Sequence, residues 1–280
     1  MIVASGVLRH NISLMRQSSI LTEFDPKQGA SVSALTYEYP SNFQVVNHAH
    51  GSDQLIYAIS GLMEVTSAQT VWSIPPYFAL WVPAKTDHRI DVPGPVSMRT
   101  LYLRSSLRAR MEARCAVLYV TSLLRELILE TNLCGQLRVR NRYERALRDL
   151  LVAQIQKATP VPTFVTLPRE ERALAVAQAI LQNPAESKTM AALCAKVGVS
   201  VRTIQRTFRN EVGTSFELWR RQARLMKAVS LLVSGSSVKE AAYKIGYCQS
   251  SAFVETFRRT FGITPKAWTT ALKIHGQQHV

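Results

Sequence analysis

Two stretches near the C-terminus repeat one another, and that repeat limits the fold more than any other feature. Val197-Gly198-Val199 precedes Ile204, Phe208 and Gly213, and Ile245-Gly246-Tyr247 precedes Phe253, Phe257 and Gly262. The offset is 48 residues at the first glycine and 49 from Phe208 to Phe257 and at the second glycine. Each copy reads as two short helices around a tight turn. A first helix, Met190 to Lys196 or Val238 to Lys244, ends at a glycine able to adopt the left-handed conformation of a sharp exit. Ser200 or Ser250 then stands where a second helix is capped. Ile204 and Phe208, like Phe253 and Phe257, are four apart and face inward, leaving the opposite face of the second helix free for a groove.

Between the copies a long helix is expected, roughly Ser215 to Ser234. Leu218, Leu225, Val229 and Leu232 form its apolar seam, and Arg220, Arg224 and Lys227 a basic stripe that either is solvated or meets phosphates. Charge points the same way. Of the formal net charge of +15, residues 1–105 carry none, 106–168 carry +5 and 169–280 carry +10. A polyanion is the natural partner of that last region, because neutralising phosphates releases counterions.

The N-terminal half has another rhythm. Short β-rich runs, Phe43 to Val46, Leu55 to Ile59, Thr70 to Ile74 and Met98 to Leu103, are punctuated by Gly51, Gly61, Pro75-Pro76, Pro83 and Pro93-Gly94-Pro95, as in a small antiparallel barrel or sandwich. Val117, Val120, Leu124 and Leu127, then Tyr143, Leu147, Leu150 and Leu151, fall at helical steps and predict two amphipathic helices that cover the sheet or join two copies. Thr159-Pro-Val-Pro-Thr and Leu167-Pro168 cannot continue a helix and read as a stiff spacer. The expected division is therefore 1–105, a sheet domain; 106–160, a helical dimerisation or covering segment; 161–168, a linker; and 169–280, a DNA-binding domain.

Ser200 to Phe216 (SVRTIQRTFRNEVGTSF), Arg224 to Leu232 (RLMKAVSLL), Val238 to Tyr247 (VKEAAYKIGY) and Phe257 to Pro265 (FRRTFGITP) resemble the DNA-binding domain of AraC/XylS-type transcription regulators. The resemblance implies promoter DNA as partner, a homodimer, and RNA polymerase as a further partner if transcription is activated. It implies base reading by Arg202, Thr203, Gln205 and Arg206 in the first unit and by Ser250, Ser251, Ala252 and Glu255 in the second; Arg224, from the basic stripe, is expected on phosphate. Arg and Gln suit guanine O6/N7 and adenine N6/N7 in the major groove. Val254-Glu255 departs from the Ser-Arg of many relatives, so the second unit is expected to read weakly.

His48-x-His50-x-x-x-Gln54-x6-Gly61 and Pro83-x-Lys85-x-x-His88 resemble the two metal motifs of cupins, with Gln where Glu is usual and Lys where Gly is usual. On one strand His48 and His50 point to the same side, as two ligands of one ion must. Three readings stand: a single divalent metal at His48, His50 and His88, with or without Gln54; a metal-free pocket for a small-molecule effector on the same residues; or hydrogen-bonded sheet residues without a ligand. Trp72 and Trp81 read as core.

The expected fold class is α+β: an N-terminal cupin-like antiparallel β-barrel with flanking helices, then an all-α domain of two helix-turn-helix units joined by a long helix. The expected function is effector-controlled transcription regulation, with no catalytic residues. The rivals are a cupin enzyme, a dioxygenase or isomerase, carrying a nucleic-acid-binding appendage, and a non-specific architectural DNA binder. Met1 to Leu14, with Arg9 and His10, lacks a signal peptide's apolar run, and no 18-residue apolar stretch predicts a membrane span, so the cytoplasm is the expected location. Cys115, Cys134, Cys194 and Cys248 form no C-x-x-C pair and read as reduced packing residues.

Overall fold

The computed structural model describes residues 20–21, 24–108, 113–158, 160–161, 164–185 and 189–276. The Met1 to Leu14 stretch, and Thr159, Pro162 and Thr163 of the Pro-rich run, lie outside the described residues. The chain divides into two compact units, residues 1–67 with 74–161 and residues 68–73 with 162–280.

The chain runs β1 (Ile20–Leu21), β2 (Ala30–Tyr39), β3 (Phe43–His50), β4 (Asp53–Ser60), β5 (Met63–Ser67), β6 (Thr70–Ile74), β7 (Phe78–Val82), β8 (His88–Val92), β9 (Val96–Leu103) and β10 (Ala116–Tyr119). Helix α1 (Ser122–Cys134), strand β11 (Gln136–Arg138) and helix α2 (Arg142–Lys157) follow. In the first unit one sheet has the order β10-β7-β4-β9-β2-β11, and a second joins β1, β3, β8 and β5. The pairs are antiparallel except β1 with β3. The expected barrel is thus corrected: the described strands form two separate sheets rather than one closed ring, because β3 and the β4 that follows it pair in different sheets.

Alternation divides the larger sheet into two faces. Val32, Ala34, Leu55, Tyr57, Trp81, Leu101 and Leu103 pack against Leu124, Leu127 and Ile128 of α1 and Leu147, Leu151 and Ile155 of α2. The helices therefore cover that face. The residues between, Gln54, Thr100 and Tyr102, are buried on the other. Val117 and Val120 do not lie in a helix as expected. Val117 of β10 pairs with Leu80 of β7 at a sheet edge, and α1 starts only at Ser122, where Thr121 accepts from the Leu124 amide.

The second unit holds β12 (Phe164–Thr166), α3 (Glu171–Gln182), α4 (Met190–Lys196), α5 (Val201–Thr207), a π-helical turn over Phe208–Val212, α6 (Phe216–Val233), α7 (Val238–Lys244), α8 (Ser250–Phe261) and α9 (Pro265–Gly276). Part of the stretch read as a spacer is strand. Phe164 pairs with Trp72, Val165 with Val71 and Thr166 with Thr70, and Val165 enters the core of this unit. The Trp219 indole donates to the Thr166 carbonyl at 2.7 Å. That core gathers Ala173, Val176 and Ile180 of α3, Leu193 and Cys194 of α4, Ile204 of α5, and Phe208, Phe216 and Trp219.

Candidate nucleic-acid interface and histidine cluster

Side-chain caps start α4, α5, α6 and α7. Thr189 accepts from the Ala192 amide, Ser200 from Thr203 at 3.1 Å and Ser215 from Leu218 at 3.3 Å. Ser237 and Glu240 form a reciprocal capping box at the start of α7. The expected Ser250 cap is corrected: Gln249 occupies the cap position of α8 without a side-chain bond, and Ser250 is the first helical residue. Gly198 and Gly246 hold φ of 64° and 86°, the left-handed exit both turns need.

Each second helix buries the expected pair. Ile204, Phe208, Phe253 and Phe257 are all fully buried. Their opposite faces differ in chemistry. In the first unit Arg202, Gln205 and Arg206 are exposed, whereas Thr203 is half-buried with its hydroxyl 2.9 Å from that of Ser200. Arg209 and Asn210, in the π-helical turn, line with them a cleft of about 460 Å³ that reaches Ser215, Phe216 and Glu217. These two were missed in the sequence, although Arg202, Arg206 and Arg209 follow the i, i+4, i+7 pattern of one helical face. In the second unit Ser250, Ser251, Ala252 and Glu255 are exposed, and the Glu255 carboxylate is paired with Arg259 at 2.8 Å. Arg224 is half-buried, and its Nε donates to the Pro184 carbonyl at 2.9 Å.

The histidines come together in the sheet unit. His48 of β3 and His88 of β8 are cross-strand partners, and a register shift between Val45 and His48 adjusts β3 there. Ring centroids are 4.4 Å apart for His48 and His88, 4.8 Å for His48 and His50, and 5.5 Å for His50 and His88. One ligand atom from each lies within 4.8 Å of the others, and all three residues are buried. Two tautomers are set by the backbone. Nδ1 of His48 lies 2.7 Å from the Val46 carbonyl, and Nδ1 of His88 lies 2.9 Å from that of Thr86. A carbonyl only accepts, so both Nδ1 atoms carry the proton and both Nε2 atoms keep a lone pair. Nε2 of His88 is buried and has no hydrogen-bond partner among the described residues. Burial lowers the His48 pKa, and burial with the neighbouring His48 lowers that of His88 to about 4. Imidazoles, two of them with the other ring nitrogen held by a carbonyl, are the donor set of a borderline transition metal such as zinc, nickel or iron, so the residues fit such an ion.

Gln54, from the larger sheet, donates its amide to Thr100 Oγ1 at 3.0 Å and to the Tyr102 hydroxyl at 3.3 Å. Its Oε1 is buried with no hydrogen-bond partner among the described residues. The Tyr102 ring stands 4.8 Å from that of His50, and Phe24 stacks on Tyr102 at 5.7 Å. Tyr102 and Thr100 were not singled out in the sequence, yet both alternate in register with Gln54 on the neighbouring strand.

Residues 193–271 match a helix-turn-helix domain family. The chain is 28% identical over 225 residues to the HTH-type transcriptional regulator NimR of Escherichia coli (strain K12), covering 80% of this chain and 82% of that protein. It is 39% identical over 110 residues to the HTH-type transcriptional regulator RipA of Corynebacterium glutamicum, a stretch that spans 39% of this chain and 33% of that protein. Among solved structures, the DNA-binding domain of the global transcriptional factor AdpA in complex with a target DNA is 29% identical, covers 39% of this chain and 99% of that one, and has a TM-score of 0.36. Two helix-turn-helix units joined by one long helix, a matching helix-turn-helix domain family over residues 193–271 and relatives that are transcription regulators make the chain similar to AraC-type helix-turn-helix transcription regulators.

Proposed function

We propose that this regulator reads its operator mainly through the first helix-turn-helix unit, under control of a ligand held in a cupin-like sheet unit. The observation that carries the reading is the exposed Arg202, Gln205 and Arg206 face of α5, set over a buried Ile204 and Phe208. Arg202 and Arg206 each offer a fork for guanine O6/N7, and Gln205 offers the donor and acceptor that adenine N6/N7 requires. Arg209 extends that face toward the backbone. The second unit offers two serines, an alanine and a carboxylate already held by Arg259, so it positions more than it reads.

In the sheet unit His48, His50 and His88 would hold one divalent ion, which supplies an electrophilic centre for an oxygen or nitrogen of an effector. The Gln54 Oε1, left over while the amide nitrogen donates to Thr100 and Tyr102, supports a ligand group that donates a hydrogen bond to it. Leu133, Tyr143 and Leu150, exposed by 83%, 58% and 44%, give α1 and α2 an apolar outer surface suited to a second copy of the chain. No described helix is long and apolar enough to cross a membrane. The protein would work in the cytoplasm on promoter DNA, contacting RNA polymerase where it activates.

Arg206→Ala is expected to weaken binding to a duplex selected from a random library by about 1–3 kcal/mol and to relax preference at one base pair. Ser251→Ala, on the weaker face, should change the same affinity by less than about 0.5 kcal/mol. Titration of both variants against selected and scrambled duplexes checks this. Equal losses in the two variants, or an Arg206→Ala loss as large on scrambled DNA, would contradict the assignment of base reading to α5.

A further inference from the structure

We propose that Arg224 is a positioning residue that clamps the second helix-turn-helix unit to the first and so fixes the spacing at which the two groove helices meet DNA. It does not act as a phosphate contact. Arg224 lies on α6 between the two units and reaches both. Backward, its Nε donates to the carbonyl of Pro184, in the connection that follows α3. Forward, its Nη2 lies 3.1 Å from where a Cβ on Gly246 would stand, and Ala185 Cα lies 3.2 Å from the same point. The turn of the second unit, the guanidinium and the 184–185 backbone therefore meet at one place. A side chain on Gly246, already at φ +86°, would push them apart.

The first turn is braced differently. A Cβ on Gly198 would meet nothing within 4 Å, and the Gly198 carbonyl accepts from Nη1 of Arg172 at 3.0 Å. Arg172 lies on α3, so that bond stays within the first unit and sets nothing about the second. Arg224 alone of the two spans both. A guanidinium is suited to this, because its donors are fixed in a plane and a charge-assisted bond to a carbonyl is stronger than a neutral one. The same bond and the half-buried position turn Arg224 inward, so it is poorly placed for a phosphate. The inference rests on α5 and α8 being the groove helices.

The test uses the full chain and a duplex recovered by selection, together with versions carrying one base pair more or fewer between the two contacted faces. The parent should prefer the native spacing by about tenfold or more, which is about 1.4 kcal/mol. Arg224→Ala and Arg224→Lys should both lose most of that preference while the slope of log affinity against log salt stays as in the parent. Arg224→Lys keeps the charge and lacks the fork, and thermal melting of each variant reports whether the fold is retained. A phosphate contact would behave otherwise: Arg224→Ala would lower the salt slope by about one, Arg224→Lys would not, and spacing preference would persist in both. That outcome overturns the clamp. A parent indifferent to spacing would instead contradict the two-groove reading on which the clamp rests.

Discussion

Replacing any one of His48, His50 or His88 with alanine is expected to take the metal content of untagged protein from about one ion per chain to near zero. Loss of an outer partner alone typically costs 10–100-fold in metal affinity, and loss of a ligand removes the bond itself. Here two of the three rings have their proton placed by backbone carbonyls, so each keeps an Nε2 lone pair in the buried cluster whether or not an ion is there. Converging lone pairs in a buried site repel, and a cation relieves that repulsion. Folding and basal DNA binding should survive the substitutions, because the residues of α5 lie in the other unit. Elemental analysis after exposure to zinc, nickel or ferrous iron, with a melting curve for each variant, decides the matter. A parent protein that retains no metal, or a His88→Ala variant that retains as much as the parent, would contradict the metal reading.

Gly61→Ala should cost the sheet unit about 2–5 kcal/mol. Gly61 joins β4 to β5 at φ +84°, a left-handed conformation that costs an ordinary residue roughly 1–2 kcal/mol. A Cβ there would also lie 2.2 Å from the Pro95 carbonyl oxygen and 2.7 Å from Val96 Cγ2. One of those atoms is backbone, so the turn itself must shift, and overpacking of that kind costs about 1–3 kcal/mol. Gly94→Ala is the control, since a Cβ at Gly94 meets nothing within 4 Å and its φ is not positive. It should stay within about 0.5 kcal/mol of the parent. Denaturant midpoints at unchanged slope measure both. Equal stability of the two variants would show that the turn relaxes freely.

What was legible in the sequence was what local chemistry encodes. The bounds of α4 and α7 were legible from Gly198 and Gly246, the exits that end them, whereas Thr189 and Ser237, which cap their starts, were not singled out. The histidine cluster was legible because the alternation of one strand aligns His48 with His50. What was not legible depends on partners far along the chain. Val117 and Leu118 suit either a helix or a strand, and pairing with β7 decides for strand. Phe164–Thr166 looked like spacer because prolines flank it, yet residues 70–72 offer it a ladder. Arg224 sits at helical spacing in a basic stripe, and only the Pro184 carbonyl, 40 residues away, turns it inward. The open pair of sheets is likewise a matter of which strands meet, and no short motif records that.

Two helix-turn-helix units flanking α6 are proposed to read one operator, the first unit with greater discrimination. A base-resolution footprint of the full chain on a duplex selected from a random library tests this most directly. Two protected major-groove faces are predicted, about one helical turn or 10 base pairs apart, because the long helix holds the two groove helices at a fixed separation. Substitution of base pairs within the face read by α5 should cost about 1–3 kcal/mol each, and within the other face distinctly less. A single protected face, or two faces equally tolerant of substitution, would contradict the account.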